Sequence, residues 1–425
     1  MPHLRLACCC SESGWSPDKV PAEVRLLTMA RGSNTIWPRV ETERRTWLVS
    51  DGGDARRSNR GRPYDSAVVP EIAHVDMLIP SECALVSEDV RTAIASFDLR
   101  VGATLAPLEA LLVRIESAAS SRIENVAAPV PELFVESIDA DGGRSAAEVI
   151  GNVEATTSAI VLSDDITPDT LLDVHRALLR STNPVLAGKW RDEVVWIGQY
   201  AAGPPGAHFV PPAVEHIEPA IEDLCDFMSR TDIPVFIQAM IAHAQFETIH
   251  PFPDGNGRVG RALVHALLRR DGLTRSATLP ISAGIVSQKH RYFQALTEFH
   301  EGDFAPIVEL GADATFAALR NATHLFEDVQ ALAEEWRERV AGMRADSVVH
   351  RIVDDLLAHP VLTAAEIAEM VNCADATVGS AVRSLVQFDI LRPVEAGGRG
   401  RWMAHEVIEA VNSFTERAIN PFGRH

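Results

Sequence analysis

The 425-residue chain has six cysteines, Cys8, Cys9, Cys10, Cys83, Cys225 and Cys373, and no CxxC pair among them. Without that spacing neither a zinc knuckle nor a disulfide framework is indicated, and free thiols in a reducing cytoplasm are expected. No apolar run approaches the roughly 18 residues of a membrane span. The apolar patch in the opening MPHLRLACCCSESGW is too short for the core of a signal peptide. A cytoplasmic protein with no membrane partner is the expectation. Basic residues are in deficit: 39 Lys and Arg against 59 Asp and Glu give a formal net charge of −20. That balance argues against general, charge-driven binding to nucleic acid. Internal repeats and long low-complexity tracts are absent, and strand signals are sparse.

What the chain does have is a large apolar fraction, 46%, enough for a globular protein of two or three domains. Residues 1 to about 65 are rich in Gly, Arg, Ser and Asp without a clear period and are expected to form a poorly ordered extension. Met29 offers a second start, on which reading residues 1–28 would be absent from the native protein. From about Ser87 apolar residues recur every three to four positions, as at Val90, Ile94 and Phe97, and again at Leu108, Leu111, Leu112 and Ile115. Further helical runs are predicted at 144–160, 168–180, 213–229, 232–247, 257–270, 287–299, 305–320 and 322–342. The best strand signal is EVVWIGQY, Glu193 to Tyr200, followed by a Gly/Pro-rich turn. The fold class is therefore mainly α with one small β-hairpin. After Arg344 the order helix, helix, turn, helix, β-ribbon reads as a winged helix-turn-helix. The expected divisions are an extension over 1–65, an N-terminal helical region over 66–160, a core over 161–325, a helical linker over 326–344 and the winged helix over 345–425.

One stretch carries the chemistry: HPFPDGNGRVGR, His250 to Arg261. Asn256 and Gly257 stand where a loop becomes a helix, and a helix N-terminus offers free N–H groups and a favourable dipole to a phosphate. Gly255 and Gly257 allow close approach of an anion. Arg258 and Arg261, three apart, fall on neighbouring positions of one helical face, and the guanidinium fork suits phosphate oxygens. Asp254 is a hard oxygen ligand suited to a Mg²⁺ that keeps its waters and bridges phosphates. His250, just ahead of the loop, accepts a proton near neutral pH without special tuning. Taken singly, GNG is a turn and HPF a helix end, while His243 and Glu247 read as packing and solvent contacts. Together the residues point to hydroxyl attack on a metal-bound phosphate. No Walker lysine is present, so the loop is not a P-loop.

These residues match the Fic family signature H-x-F-x-[DE]-G-N-G-R-x-x-R at every fixed position, and the chain resembles that family over roughly residues 85 to 320. The resemblance implies a protein adenylyltransferase, which moves AMP from ATP to a Ser, Thr or Tyr hydroxyl of a target protein with Mg²⁺ as cofactor. By matching position, His250 would be the base and Asp254 would hold Mg²⁺. Gly255, Asn256 and Gly257 would form the anion nest, Arg258 would bind phosphate and Arg261 would hold the γ-phosphate. Phe252 would anchor the loop in the core, and Tyr292 is the candidate ring contact on the adenine side, where His300 replaces a position often held by Asn. The segment Ile197, Gly198, Gln199 and Tyr200 would be the flap that aligns a target by strand pairing. The family's habit of dimerising makes a homodimer a further candidate partner state.

SSRIEN, Ser120 to Asn125, is on its own a charged helix end, which is ordinarily solvated surface. Beside the signature it resembles the family's inhibitory pattern, [ST]-x-x-x-E-[GN], in the class whose inhibitory helix precedes the core; here that helix spans about 108–125. The implication is that Glu124 pairs with Arg261 and repels incoming phosphate, with Ser120 and Asn125 completing the motif. The same glutamate could orient water for AMP removal, an alternative activity. A second class of function is a nucleotide-sensing, DNA-bound regulator. From Ala345 onward there are eleven acidic against seven basic residues, so DNA and protein docking stand level for the C-terminal module. Thr377, Ser380, Arg383 and Ser384 would face outward from its recognition helix, with Arg399 and Arg401 in the ribbon.

Overall fold

A computed structural model describes residues 37–48, 59–101, 106–134, 144–198, 203–275, 277–344, 346–394 and 400–419. Helices dominate. Helix α1 (Ser81–Val101) and α2 (Ala106–Ile123) lead into α3 (Arg144–Val161) and α4 (Pro168–Leu179). Then come α5 (Ile217–Met228), α6 (Val235–Ile249), α7 (Asn256–Arg270), α8 (Ile281–Val286) and α9 (Lys289–His300). Helix α4 begins as its sequence dictates: the Thr167 hydroxyl accepts from Thr170 N and Pro168 fills the first turn. Helix α6 is buried on nearly every face, which is why its apolar residues show no one-sided stripe. It packs on α5, α7 and α10 (Ala305–Val340) at the centre of the core.

The predicted helices at 305–320 and 322–342 are one element, the 36-residue α10. The expected helical linker over 326–344 falls mostly in the second half of this helix, whose Leu325, Val329, Ala333, Trp336 and Val340 are buried. No glycine or proline interrupts the apolar period there, so nothing ends the helix.

The C-terminal residues form α11 (Val348–Leu356), β3 (Val361–Thr363), α12 (Ala364–Val371), α13 (Asp375–Gln387), β4 (Arg392–Pro393), β5 (Arg401–Met403) and α14 (His405–Ile419). The strands make an antiparallel sheet in the order β3-β5-β4. Helix α12 starts with the capping box expected of Thr363 and Glu366. Helix α14 folds back onto α10 and α8, so this module shares a face with the rest of the molecule.

The largest departure from expectation lies near the N-terminus. Within the stretch read as poorly ordered, β1 (Glu41–Thr46) and β2 (Pro63–Val68) pair as an antiparallel ribbon, from Glu41 opposite Val68 to Thr46 opposite Pro63. Strand β1 reads ETERRT and has no apolar alternation to betray it. What holds the ribbon is tertiary packing: Trp47 and Tyr64 are buried with Val210 against Val194, Trp196 and Ala207. Upstream, Trp37 lodges among Phe227, Phe299 and Phe304. The second start at Met29 lies outside the described residues. The predicted hairpin over Glu193–Tyr200 appears as one bridge, Ile197 opposite Phe209.

Candidate active site

The site is the junction of α6, the loop 250–255 and α7. Helix α6 ends at His250, which takes the left-handed conformation (φ 50°) of a helix cap. Its backbone carbonyl accepts from Arg191 Nε at 2.8 Å. Its Nδ1 lies 3.3 Å from the Glu247 carbonyl, which can only accept, so Nδ1 carries the proton and Nε2 keeps the lone pair. Burial, reinforced by the Arg191 charge, pushes the His250 pKa down to about 4. The imidazole is therefore neutral at physiological pH and able to take a proton.

The loop is folded by its own side chains. Asn256 Oδ1 accepts from Phe252 N and its Nδ2 donates to Phe252 O, both at 2.8 Å. The Asn256 amide is thus committed to the turn, and its contribution to an anion nest is its backbone N–H. Phe252 is the anchor expected, stacked between His175 (centroids 3.7 Å apart) and Trp190 (4.9 Å). Gly255, the cap of α7, has φ 86°, and a methyl group there would press on Leu178. Both reasons call for glycine.

Two arginines lie in the first two turns of α7. Arg258, whose side chain is 5% exposed, donates from Nη2 to Asp254 Oδ1 at 3.2 Å. Arg261 donates to Ser120 Oγ, Ser120 O and Glu124 Oε1, each at 2.9 Å. The expected pairing of Glu124 with Arg261 is thus present in the geometry. Burial works against the Arg261 cation, and Glu124 together with Tyr292 and Glu247 more than compensates, holding its pKa above the ordinary value. Glu124 also lies on Gly257: a methyl group there would overlap its Oε1. The carboxylate therefore sits on the nest at the α7 N-terminus. Asn125 follows with φ 60° and its Oδ1 accepts from Lys289 Nζ at 2.9 Å.

Buried donors remain without partners among the described residues: Nε and Nη1 of Arg258 and Nη1 of Arg261. Such donors cost free energy unless a ligand meets them. An oxyanion is the acceptor that suits two guanidinium groups. Asp254 fits a Mg²⁺ of the water-keeping kind: one oxygen is tied to Arg258 and the side chain is 42% exposed. No cluster of three or more His, Cys, Asp or Glu able to cage a metal exists among the described residues.

Several neighbours escaped sequence reasoning. Arg191 is buried and also donates to Glu193 O and Pro212 O, tying the flap base to the loop. His175 accepts from Gly188 N at Nδ1 and meets Asp254 O at Nε2. Behind Arg261, the Tyr292 hydroxyl meets His243 Nε2 at 2.9 Å, and Tyr292 is 2% exposed. In this state the ring proposed for adenine is part of the buried support of the site. His300 stacks on Phe209 and bonds Thr248 Oγ1, pinning the return limb of the flap. Glu247 lies 3.9 Å from His250 Nδ1, its pKa pushed up to about 8 by burial, with Glu124 adding to the rise. An arginine alone in a Gly/Pro-rich stretch gives no periodic signal, and a histidine inside an amphipathic helix reads as packing. Of the flap residues, Ile197 and Gly198 are placed, whereas Gln199 and Tyr200 lie outside the described residues.

The model of the Fic/DOC family matches residues 165–268. Among curated proteins, the chain is 30% identical over 175 residues to the protein adenylyltransferase Fic of Nematostella vectensis, covering 40% of this chain and 38% of that one. It is 34% identical over 155 residues to the protein adenylyltransferase Fic of Aedes aegypti, covering 36% and 28%. The chain thus spans well under half the length of these relatives. Among solved structures, a Fic family protein from Desulfovibrio desulfuricans G20 aligns over 77% of this chain and 97% of its own, at 20% identity and a TM-score of 0.48. The matched segment contains the complete HPFPDGNGRVGR motif, and it is over residues 165–268 that this chain is similar to the Fic/DOC family.

Proposed function

We propose that the chain is a self-inhibited protein adenylyltransferase. The observation that carries this reading is the pairing of Arg261 with Glu124 beside buried guanidinium nitrogens that lack an acceptor. A triphosphate would satisfy those nitrogens, and the Glu124 carboxylate stands where its terminal phosphate would go. With Glu124 withdrawn, Arg261 would take the γ-phosphate, and Arg258 and the α7 N–H groups the phosphates nearer the ribose. A target hydroxyl lying along the flap would attack the α-phosphorus. His250 Nε2 would take its proton as the new P–O bond forms and pyrophosphate leaves with the old one. Mg²⁺ held at Asp254 with water would offset charge on the phosphates.

The test is labelling with α-labelled ATP and Mg²⁺. Glu124→Gly is expected to incorporate on the order of a hundredfold more AMP than wild type. Adding His250→Ala to it should abolish incorporation. No gain for Glu124→Gly at saturating ATP would sink the lock. Glu124, 31% exposed, is reachable by water, as the alternative activity of hydrolytic AMP removal requires. Loss of label from a pre-labelled protein, dependent on Glu124, would establish that direction instead.

For residues 345–425 we infer a winged helix, on the order of its elements and on Thr377, Ser380 and Arg383 standing exposed on α13. With eleven acidic against seven basic residues from Ala345 onward, DNA and protein docking stand level for it. A gel shift with the full-length chain that survives physiological salt would decide for DNA, and its absence for a protein partner.

A further inference from the structure

Glu116 is 1% exposed, and the proposed reaction makes no use of it. It lies on α2 two helical turns before Glu124, about 12 Å deeper along the helix. Its Oε2 accepts from Ser282 N at 2.8 Å and its Oε1 from Ser282 Oγ at 2.5 Å. His265 Nε2 stands 3.0 Å from the same Oε1, and the His265 side chain is 4% exposed. A carboxylate only accepts, so Nε2 carries the proton in this contact.

The spacing gives these contacts a meaning. Glu116, Ser120 and Glu124 are four apart on one face of α2, and Gly257, Arg261 and His265 are four apart on one face of α7. The stripes run against each other: Glu124 on Gly257 and Arg261, Ser120 on Arg261, Glu116 on His265. Farther along, Arg269 Nη2 lies 3.6 Å from Glu109. A slide of α2 by one turn would strip a buried carboxylate of its donors, which is costly, while the more exposed Arg269 and Glu109 could turn to water.

We propose that Glu116, with His265 and Ser282, is the positioning group that fixes the register of α2 and so holds Glu124 over the nucleotide site. This rests on the self-inhibition reading above. Ser282 opens α8, the helix on which α14 of the C-terminal module also packs. The buried group therefore joins the lock to the helix that seats that module.

The experiment compares self-labelling by wild type, Glu116→Ala, Glu116→Gln, Ser282→Ala, Glu124→Gly and the Glu116→Ala/Glu124→Gly pair, with folding checked by thermal melts. Glu116→Ala should raise labelling on the order of tenfold in the wild-type background and not at all on top of Glu124→Gly. Glu116→Gln keeps an acceptor oxygen for Ser282 and should stay near wild type. General damage to the fold would lower labelling in both backgrounds. If Glu116→Ala melts out, Ser282→Ala, which removes one bond, carries the same comparison. A folded Glu116→Ala at wild-type level while Glu124→Gly is active overturns the register role alone. An inactive Glu124→Gly overturns the self-inhibition reading and the register role with it.

Discussion

At the scale of the residue, polar groups at this site are held by backbone as much as by one another. Arg191 has carbonyls for its partners, those of His250, Glu193 and Pro212. Burial lowers its pKa to about 10, still well above neutral. Arg191→Met keeps much of the bulk and removes the donors, leaving the buried Pro212 carbonyl and the part-buried His250 carbonyl unsatisfied. The expected loss is about 3 kcal/mol of stability by urea unfolding, with His250 less well aimed and labelling in the Glu124→Gly background reduced. Unchanged stability would mean water replaces the guanidinium there. The motif residues were legible because their chemistry is concentrated in twelve adjacent positions. Arg191, His175 and Glu116 were not, since each takes its meaning from a partner at least a dozen residues away.

At the scale of the element, periodic helices were read well and the β structure was not. Helices α3, α4 and α7 begin and end within two residues of the expected runs. A three-to-four apolar repeat marks all three, and in α4 the Thr167 cap and Pro168 agree with it. The ribbon β1–β2 lacked such agreement because its stability comes from across the molecule. Ala67 N donates to Val210 O, Ser66 Oγ to Pro211 O, and the Trp47 indole lies edge-on to Trp196. A methyl group at Gly203 would press against that indole. The ribbon thus backs both segments, 194–198 and 203–211, that flank the expected flap. Trp47→Ala in the Glu124→Gly background is expected to lower labelling roughly ten- to hundredfold while ATP affinity by calorimetry stays put. Equal losses in both would place the ribbon's effect in the nucleotide site instead.

At the scale of the molecule, buried histidines set the response to acid. Burial lowers His175, His250 and His300 from 6.5 to about 4 and His243 to about 3. Their folded values are depressed, so the unfolded chain binds more protons below pH 6.5 and stability falls as pH drops from there toward 4. Glu247 acts oppositely: raised from 4.5 to about 8, it binds its proton in the fold, and stability falls as pH rises from 4.5 to 8. Four groups against one make the acid side steeper. Thermal melts across pH 4 to 9 should peak near 7, where the histidine and Glu247 slopes cancel; a peak at or below about pH 5 would mean that the histidines are not held neutral.

Helix α10 is about 54 Å long at 1.5 Å per residue. Its far half carries Trp336, whose Nε1 donates to Glu406 Oε2 at 2.7 Å, and Arg339, paired to the same carboxylate. Helix α14 lays Val407, Val411 and Phe414 into the buried layer. Anyone cutting the gene into modules meets this seam. A fragment stopped before residue 345 would leave an oily stripe on α10 facing water, and one begun there would be missing the beam on which its last helix rests. The piece to express whole is therefore the helical core together with its C-terminal module.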